Sequence, residues 1–330
     1  MKMKKFVSVA LCAAMLLSVL AGCGSKTEAP AATAAPVATA APAAATTAAA
    51  GVDYAAYGED VQKIVDRGVL RVGVKNAVLG FGFQDELTGE YSGMEISLAE
   101  KVADYLGVDV EYTAVTAATR TELLDSGDID CVLATFTITE ERKKSWDFTT
   151  PYYTDYVTVL VEDASGIGAL ADLVDKKVGV SSGSTSAKAL VKAMIEAGVI
   201  SGDGFDADTF DPATWTEGVS FAQYDDYPTI STALSAGEVD AFCVDMSILA
   251  VYHTDGRSYI ADKFSPQEYG IATTKDSGMS KLCEELVTGW LADGPIEALS
   301  TENGIAEPRV FSGRGTAPPK RIFSQQQKGG

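Results

Sequence analysis

Apolar positions along this chain fall into three regimes, and each predicts a different kind of segment. Residues 1–22 begin with Lys2, Lys4 and Lys5 and continue as an apolar run from Phe6 to Leu20. That run is too short to span a bilayer, and a positive start followed by such a run reads as an export signal. From Gly24 to Gly51 the sequence is almost wholly Ala, Thr and Pro, which cannot build a packed core, and the prolines interrupt any helix the alanines would favour. As a tether of ~30 residues it sets the following part on the order of 30 Å from its anchor.

The third regime carries strand and helix periods, and it repeats. Gly68-Val69-Leu70-Arg71-Val72-Gly73-Val74 is a short β-rich run whose second half is matched by Asp175-Lys176-Lys177-Val178-Gly179-Val180. Each run is followed by a loop and an amphipathic helix, with Leu98, Val102 and Leu106 in one copy and Leu190, Met194 and Ile195 in the other. Farther on, Leu124-Asp125-Ser126-Gly127-Asp128-Ile129-Asp130 is echoed by Leu234-Ser235-Ala236-Gly237-Glu238-Val239-Asp240, and each echo runs into an apolar strand, Cys131 to Ala134 and Ala241 to Val244. Strand, helix, helix, strand in two copies predicts two α/β lobes, each a mostly parallel sheet flanked by helices. Ligands of such sheets bind off the carboxyl ends of strands, and two lobes leave a natural crevice between them.

Composition and charge then narrow the function. The 330 residues are 46% hydrophobic and carry a formal charge of −20, with no basic stripe in the middle of the sequence. Phosphate binding needs a clustered positive footprint, so a nucleic-acid partner is excluded. Cys131, Cys243 and Cys283 are odd in number and form no CxxC pair, so they indicate neither a disulfide framework nor a zinc site. Cys131 and Cys243 lie in apolar runs, as buried thiols do. His253 is the one histidine of the chain, too few for a multi-His metal site. No metal and no cofactor are expected.

Candidate chemistry gathers where the predicted strands end. After Cys131 to Ala134 come Thr135, Phe136, Thr137, Ile138, Thr139, Glu140, Glu141 and Arg142. Thr139 can cap a helix beginning at Glu140, which would hold Arg142 beside the Thr135 and Thr137 hydroxyls. There its planar fork can take a carboxylate in two parallel hydrogen bonds. The equivalent place in the second copy is Asp245, one residue past Val244. Ser181-Ser182-Gly183-Ser184-Thr185-Ser186 follows a strand and opens a helix, offering hydroxyls and free N–H groups. It lacks the Lys and spacing of a phosphate-binding P-loop, and no GxGxxG pattern occurs. An arginine on one lobe and an aspartate on the other describe a receptor for a zwitterion.

These segments resemble the family 3 extracellular solute-binding proteins, the polar amino-acid receptors of ABC importers, from about Ile64 to Phe311. The likeness is carried by Gly68 to Val74, Gly93 to Ile96, Asp128 to Arg142, Phe148-Thr149-Thr150-Pro151-Tyr152, Gly179 to Thr185 and Val239 to Asp245. Thr137-Ile138-Thr139-Glu140-Glu141-Arg142 is similar to the family's T-x-T-x-E-R signature. The resemblance implies that Arg142 takes the ligand α-carboxylate, helped by Thr135, Thr137 and Ser184 or Thr185, and that Asp245 takes the α-ammonium. It also implies a hinged clamp, the chain crossing between lobes near Thr154 to Thr158 and again near Phe264 to Tyr269. Leu20-Ala21-Gly22-Cys23 resembles the lipobox of bacterial lipoproteins, which implies cleavage before Cys23, lipidation of that cysteine and stable membrane anchoring by several acyl chains.

Side-chain specificity rests on fewer residues. Val115 to Arg120 and Tyr224 to Pro228 look most like the aspartate/glutamate-binding branch, where the residues matching Arg120 and Tyr227 lie near the ligand side chain. Arg142, Arg120 and Asp245 sum to +1, which balances an acidic amino acid at −1. Two departures stand against this. Gly80 occupies the place where acidic-ligand members can carry a Lys, leaving glutamate, aspartate and glutamine open, and Ser97 stands where the family commonly has Asp. Phe81 and Phe83 fit a pocket wall or the core equally. The expected organisation is a signal at 1–22, lipidated Cys23 and tether to 57, lobe 1 at 58–155 with 266–311, lobe 2 at 156–265 and a disordered tail at 312–330. The expected protein is a non-enzymatic, monomeric, lipid-anchored extracytoplasmic receptor that passes a polar, acidic or related amino acid to an ABC permease. Its rivals are a dehydratase of prephenate-like acids on the same scaffold, using Asp245 as general acid, and a sensor input domain.

Overall fold

The computed structural model describes residues 52–305. The export signal, Cys23, most of the tether and the tail at 312–330 lie outside the described residues. The packed part begins ahead of the expected boundary at 57. Tyr54 is buried and donates to the Tyr105 carbonyl, and Tyr57 donates to Glu285 at 2.7 Å.

Helix α1 (Glu59–Arg67) buries Val61 and Ile64, then leads into β1 (Val69–Val74). A small antiparallel ribbon follows, made of β2 (Ala77–Val78), β3 (Gly82–Gln84) and β4 (Tyr91–Ser92). Next come α2 (Met94–Leu106), β5 (Asp109–Ala114), α3 (Thr119–Ser126), β6 (Cys131–Leu133) and β7 (Trp146–Phe148). The ten-residue β8 (Tyr153–Glu162) carries the chain into the second sheet. That lobe holds β9 (Lys176–Ser181), α4 (Ser186–Glu196), β10 (Val219–Tyr224), α5 (Tyr227–Ser235), β11 (Ala241–Asp245), α6 (Met246–Leu249) and β12 (Arg257–Tyr259). β13 (Phe264–Tyr269) returns, and β14 (Ala272–Thr274), α7 (Gly278–Asp293) and α8 (Pro295–Glu302) complete the first lobe.

The sheets run in the orders β5-β1-β6-β14-β7 and β10-β9-β11-β8-β12, with β13 also paired to β8. Each has a parallel triplet at its heart, β5-β1-β6 and β10-β9-β11, so the repeat in the sequence is a repeat in space. The strands added around each triplet are antiparallel. Glycines stand at matching positions because the covering side chains need the room. A Cβ on Gly73 would lie 2.6 Å from Ile129, and one on Gly179 2.6 Å from Ile230. The helix faces predicted from periodicity are buried, with Leu98, Val102, Leu106, Leu190 and Met194 all shielded from solvent. The three cysteines of the described residues are buried free thiols.

One expected helix is absent. After Thr139 the chain makes a single 3-10 turn, Arg142–Lys144, because β7 begins at Trp146 and leaves no length for more. Glu141, not Thr139, stands at the N-cap of that turn, and the Thr139 hydroxyl accepts the Arg142 N–H at 3.1 Å.

Candidate functional site

Strands β6 and β11 end on facing sides of the cleft. Past β6, Thr135 takes a left-handed backbone (φ 44°), uncommon for a threonine. Its N–H donates to Glu95 at 2.6 Å, and its buried hydroxyl has no hydrogen-bond partner in the protein. Thr137 is also buried, and its carbonyl accepts from Arg142 Nη1 at 2.7 Å. The other arm of the Arg142 fork donates to the Gly183 carbonyl of lobe 2 at 3.0 Å. Arg120, in the first turn of α3, is 3% exposed and donates to the Ala134 carbonyl at 3.0 Å, with Nε unpartnered. Both guanidiniums lie against the Phe136 ring, at 3.8 Å for Arg120 and 4.7 Å for Arg142. Burial presses both below the usual arginine range, and for Arg142 the like charge of Arg120 adds to it.

A third cation belongs to this group. Lys75, one residue past the end of β1, is 3% exposed. Its ammonium has the Val115 carbonyl at 3.4 Å and the Tyr227 ring at 5.2 Å. Burial first, and Arg120 second, hold it well below the usual lysine range. Neither Lys75 nor Arg120 has a carboxylate within ion-pairing distance among the described residues. Buried cations without such partners are costly unless something anionic meets them.

On the other wall Asp245 ends β11, buried, accepting from the Tyr269 hydroxyl at 2.6 Å. The same hydroxyl lies 3.3 Å from Asp155 of β8, which also accepts from the Ser247 N–H and hydroxyl. Burial, and then the charge of Asp155, push the Asp245 carboxyl up to about 7. Tyr227 is buried at the first position of α5. Thr185 donates to Gln267 at 2.7 Å, and the Ser184 hydroxyl accepts the Ser186 N–H at 3.4 Å. The Ser181 and Ser186 hydroxyls are buried without a partner. A cavity of about 330 Å³ lies on one side, lined in part by Lys75, Val115, Ser181 and Tyr227. A second, of about 430 Å³, is lined in part by Thr139, Arg142, Ser184 and Thr185, and Ser181 lines both.

Two sequence readings change place. Phe81 is wholly buried, edge-on to Tyr153 and to Tyr269, at centroid distances of 5.0 and 5.9 Å, so it backs the residue that bonds Asp245. Gly80 (φ 84°) faces the end of the described chain, where a Cβ would lie 2.9 Å from Ile305. The Lys that acidic-ligand members can carry is absent at Gly80, and a buried lysine stands at Lys75. Lys75, Glu95, Asp155 and Tyr269 were not among the expected site residues, whereas Ser181 belongs to the loop expected to offer hydroxyls. Lys75 alone had a usable signal, because it stands at the carboxyl end of a parallel strand.

Two lobes meeting over buried groups of both charges are the arrangement of a receptor for a small charged solute. Residues 70–203 match the sequence profile of the bacterial extracellular solute-binding proteins, family 3. The chain is 31% identical over 290 residues to the ABC transporter glutamine-binding protein GlnH of Bacillus subtilis (strain 168), covering 86% of this chain and 90% of that one. It is 30% identical over 246 residues to the L-cystine-binding protein TcyJ of Escherichia coli (strain K12), covering 73% and 84% respectively. A solved ancestral arginine-binding protein bound to arginine aligns with a TM-score of 0.60 at 32% identity, covering 72% of this chain and 98% of that chain. The chain belongs to the bacterial extracellular solute-binding proteins, family 3.

Proposed function

We propose that this protein is the receptor of an amino-acid ABC importer and that its ligand is an acidic amino acid, glutamate or aspartate. Arg142 takes the α-carboxylate, with the Thr135 and Thr137 region and the N-terminus of α4 completing the cradle. Asp245 takes the α-ammonium. The observation that carries the acidic assignment is that Lys75 and Arg120, two buried cations on lobe 1, have no carboxylate within ion-pairing distance among the described residues. A side-chain carboxylate accepts from both, whereas an amide oxygen meets them without a charge. The relatives bind different amino acids by name, so ancestry alone does not choose between ligands. The protein is carried outside the membrane by lipid on Cys23, and Cys23→Ser should move it to the soluble fraction on cell fractionation.

Calorimetric titration with all twenty amino acids tests the reading. Glutamate or aspartate should lead, with one-to-one stoichiometry, and a preference for arginine or lysine would refute it. Arg120→Ala and Lys75→Met should each weaken acidic ligands by about 2–5 kcal/mol. Both should leave glutamine less affected, so the preferred ligand changes. Equal loss for all ligands would remove these residues from side-chain recognition.

The ammonium site should be pH-sensitive. A neutral Asp245 cannot pair with an ammonium ion, and its carboxyl stands at about 7 without ligand. The ammonium stabilises the ionised form, so binding releases a proton below that pH. Affinity should therefore be greatest above pH 7 and fall by about tenfold per unit below it. Calorimetry in buffers of different ionisation enthalpy reads that proton directly, and a flat affinity from about pH 5 to 8 would take the ammonium away from Asp245.

A carboxyl titrating near 7 also suits a general acid, which favours a dehydratase. Turnover of a prephenate-like acid without tight binding of free amino acids would establish that reading instead.

A further inference from the structure

A third cavity, of about 630 Å³, shares no lining residue with the two at the amino-acid site. Lobe 1 contributes Leu79 and Ile305 to its lining, and lobe 2 contributes Met246, Tyr259 and Lys263. Asp155, on the strand that crosses between the lobes, lines it as well. Its size suits a small organic molecule, and Leu79, 58% exposed, gives it an apolar surface that no core side chain covers.

Two lining groups carry opposite charge, and neither has an ion-pair partner among the described residues. Asp155 is the buried one, 6% exposed. Its Oδ2 accepts the Ser247 N–H at 3.0 Å and the Ser247 hydroxyl, and the Tyr269 hydroxyl lies 3.3 Å away. Ser247 lines the cavity too, so the carboxylate end of Asp155 borders it. Oδ1 accepts the Tyr156 N–H at 2.7 Å and no other donor among the described residues. A carboxylate offers about four acceptor positions, so Oδ1 keeps room for a further donor. A buried carboxylate left without a cation is costly, and burial pushes this carboxyl up. Lys263 is the exposed partner on the same lining.

The register of the ribbon sets the spacing of these charges. Phe264 pairs with Val157, so Lys263 lies about three residues along the ribbon from Asp155, on the order of 10 Å. An α-amino acid carries its charges about 3 Å apart, and a hydrogen bond of about 2.8 Å at each end brings the span to roughly 9 Å. The flexible Lys263 stem takes up the difference.

We propose that this cavity is a second site, for a zwitterionic amino acid with an apolar side chain. Asp155 Oδ1 holds its ammonium and Lys263 meets its carboxylate. Its side chain lies along Leu79, Met246 and Tyr259.

Phenylalanine is the probe. The full chain is first saturated with the amino acid that leads the calorimetric survey, which keeps the main site filled. Binding is read by NMR from the isotope-labelled Met246 methyl, assigned with Met246→Leu. Phenylalanine should shift that methyl saturably, with a midpoint at about 10 mM or below. Absence of a saturable shift overturns the proposal, as does a shift that more of the main-site amino acid competes away. Hydrocinnamate, the same skeleton without the ammonium, should bind at least about tenfold more weakly. Equal binding would take Asp155 out of the site. Lys263→Met should weaken phenylalanine by about two- to fivefold, the scale of an exposed ion pair. Phenethylammonium, which lacks the carboxylate, should be unaffected by that change. A loss shared equally by both probes, or absent from both, would remove Lys263 from the site. The test holds whichever amino acid fills the main site, so failure of the acidic-ligand reading leaves it intact.

Discussion

Arg142→Ala is expected to abolish binding of every amino acid, whatever its side chain. The guanidinium is positioned by the Thr137 carbonyl at 2.7 Å and the Gly183 carbonyl at 3.0 Å, and it lies against Phe136. Neither hydrogen bond involves a residue assigned to the ligand side chain, although Arg120 shares the Phe136 ring, so every ligand should lose affinity. Removing one partner of a buried charge pair costs about 3–5 kcal/mol, which is at least a hundredfold in affinity. Arg142 also ties lobe 1 to lobe 2 through Gly183, so the same change loosens the closed form. Lysine should not rescue it, because a point charge lacks the fork that grips a carboxylate in two places. Calorimetry with glutamate, aspartate and glutamine checks this, and wild-type affinity for any one of them would take Arg142 out of its role.

Gly183→Ala should weaken binding without removing any side chain assigned to the ligand, and it keeps the carbonyl that accepts from Arg142. Gly183 is left-handed (φ 74°), and a Cβ there would lie 2.8 Å from the Ala117 carbonyl oxygen and 3.0 Å from the Ala118 Cα. Those are backbone atoms of the opposite lobe and cannot turn aside. The left-handed conformation costs an alanine about 1 kcal/mol in either state. The clash arises only when the lobes meet. Affinity should fall by about tenfold to a hundredfold as the closed population falls, because apparent affinity scales with the fraction able to close. Small-angle scattering during a ligand titration should show contraction only at correspondingly higher ligand concentration. Contraction with unchanged affinity would mean the lobes meet by another route.

The pocket residues also mark how far the sequence could be read. Arg142 and Asp245 were legible because each follows a strand whose echo in the other half of the chain fixes its place. Lys75 was not, because a lysine at the end of an apolar strand looks like an ordinary solvated terminus until Tyr227 closes over it. Glu95 was hidden by the helix that carries it. The Leu98, Val102 and Leu106 face was read as the buried one, and what buries Glu95 as well is Tyr152, 57 residues away in the chain. The Tyr269 hydroxyl between Asp245 and Asp155 joins residues as far as 114 positions apart. Gly80 misled for the opposite reason. Alignment by segment order put it at a ligand position, and its backbone instead turns toward Ile305. Local pattern gave the frame, and contacts between distant segments gave the pocket its charge.

β8 and β13 lie antiparallel in register from Tyr153↔Tyr269 to Val157↔Phe264, with one irregularity at Pro266. The link between the lobes is therefore a hydrogen-bonded ribbon. Such a link works as a leaf spring. Opening bends and twists the ribbon as a whole, and no loop has to gain or lose its disorder on each cycle. Because Asp155 and Tyr269 sit on that ribbon and the Tyr269 hydroxyl joins Asp155 to Asp245, flexing the spring would also move the Asp245 carboxylate. The stiffness of these few residue pairs would then set both how fast the receptor lets go and how well its acid is aligned when it holds.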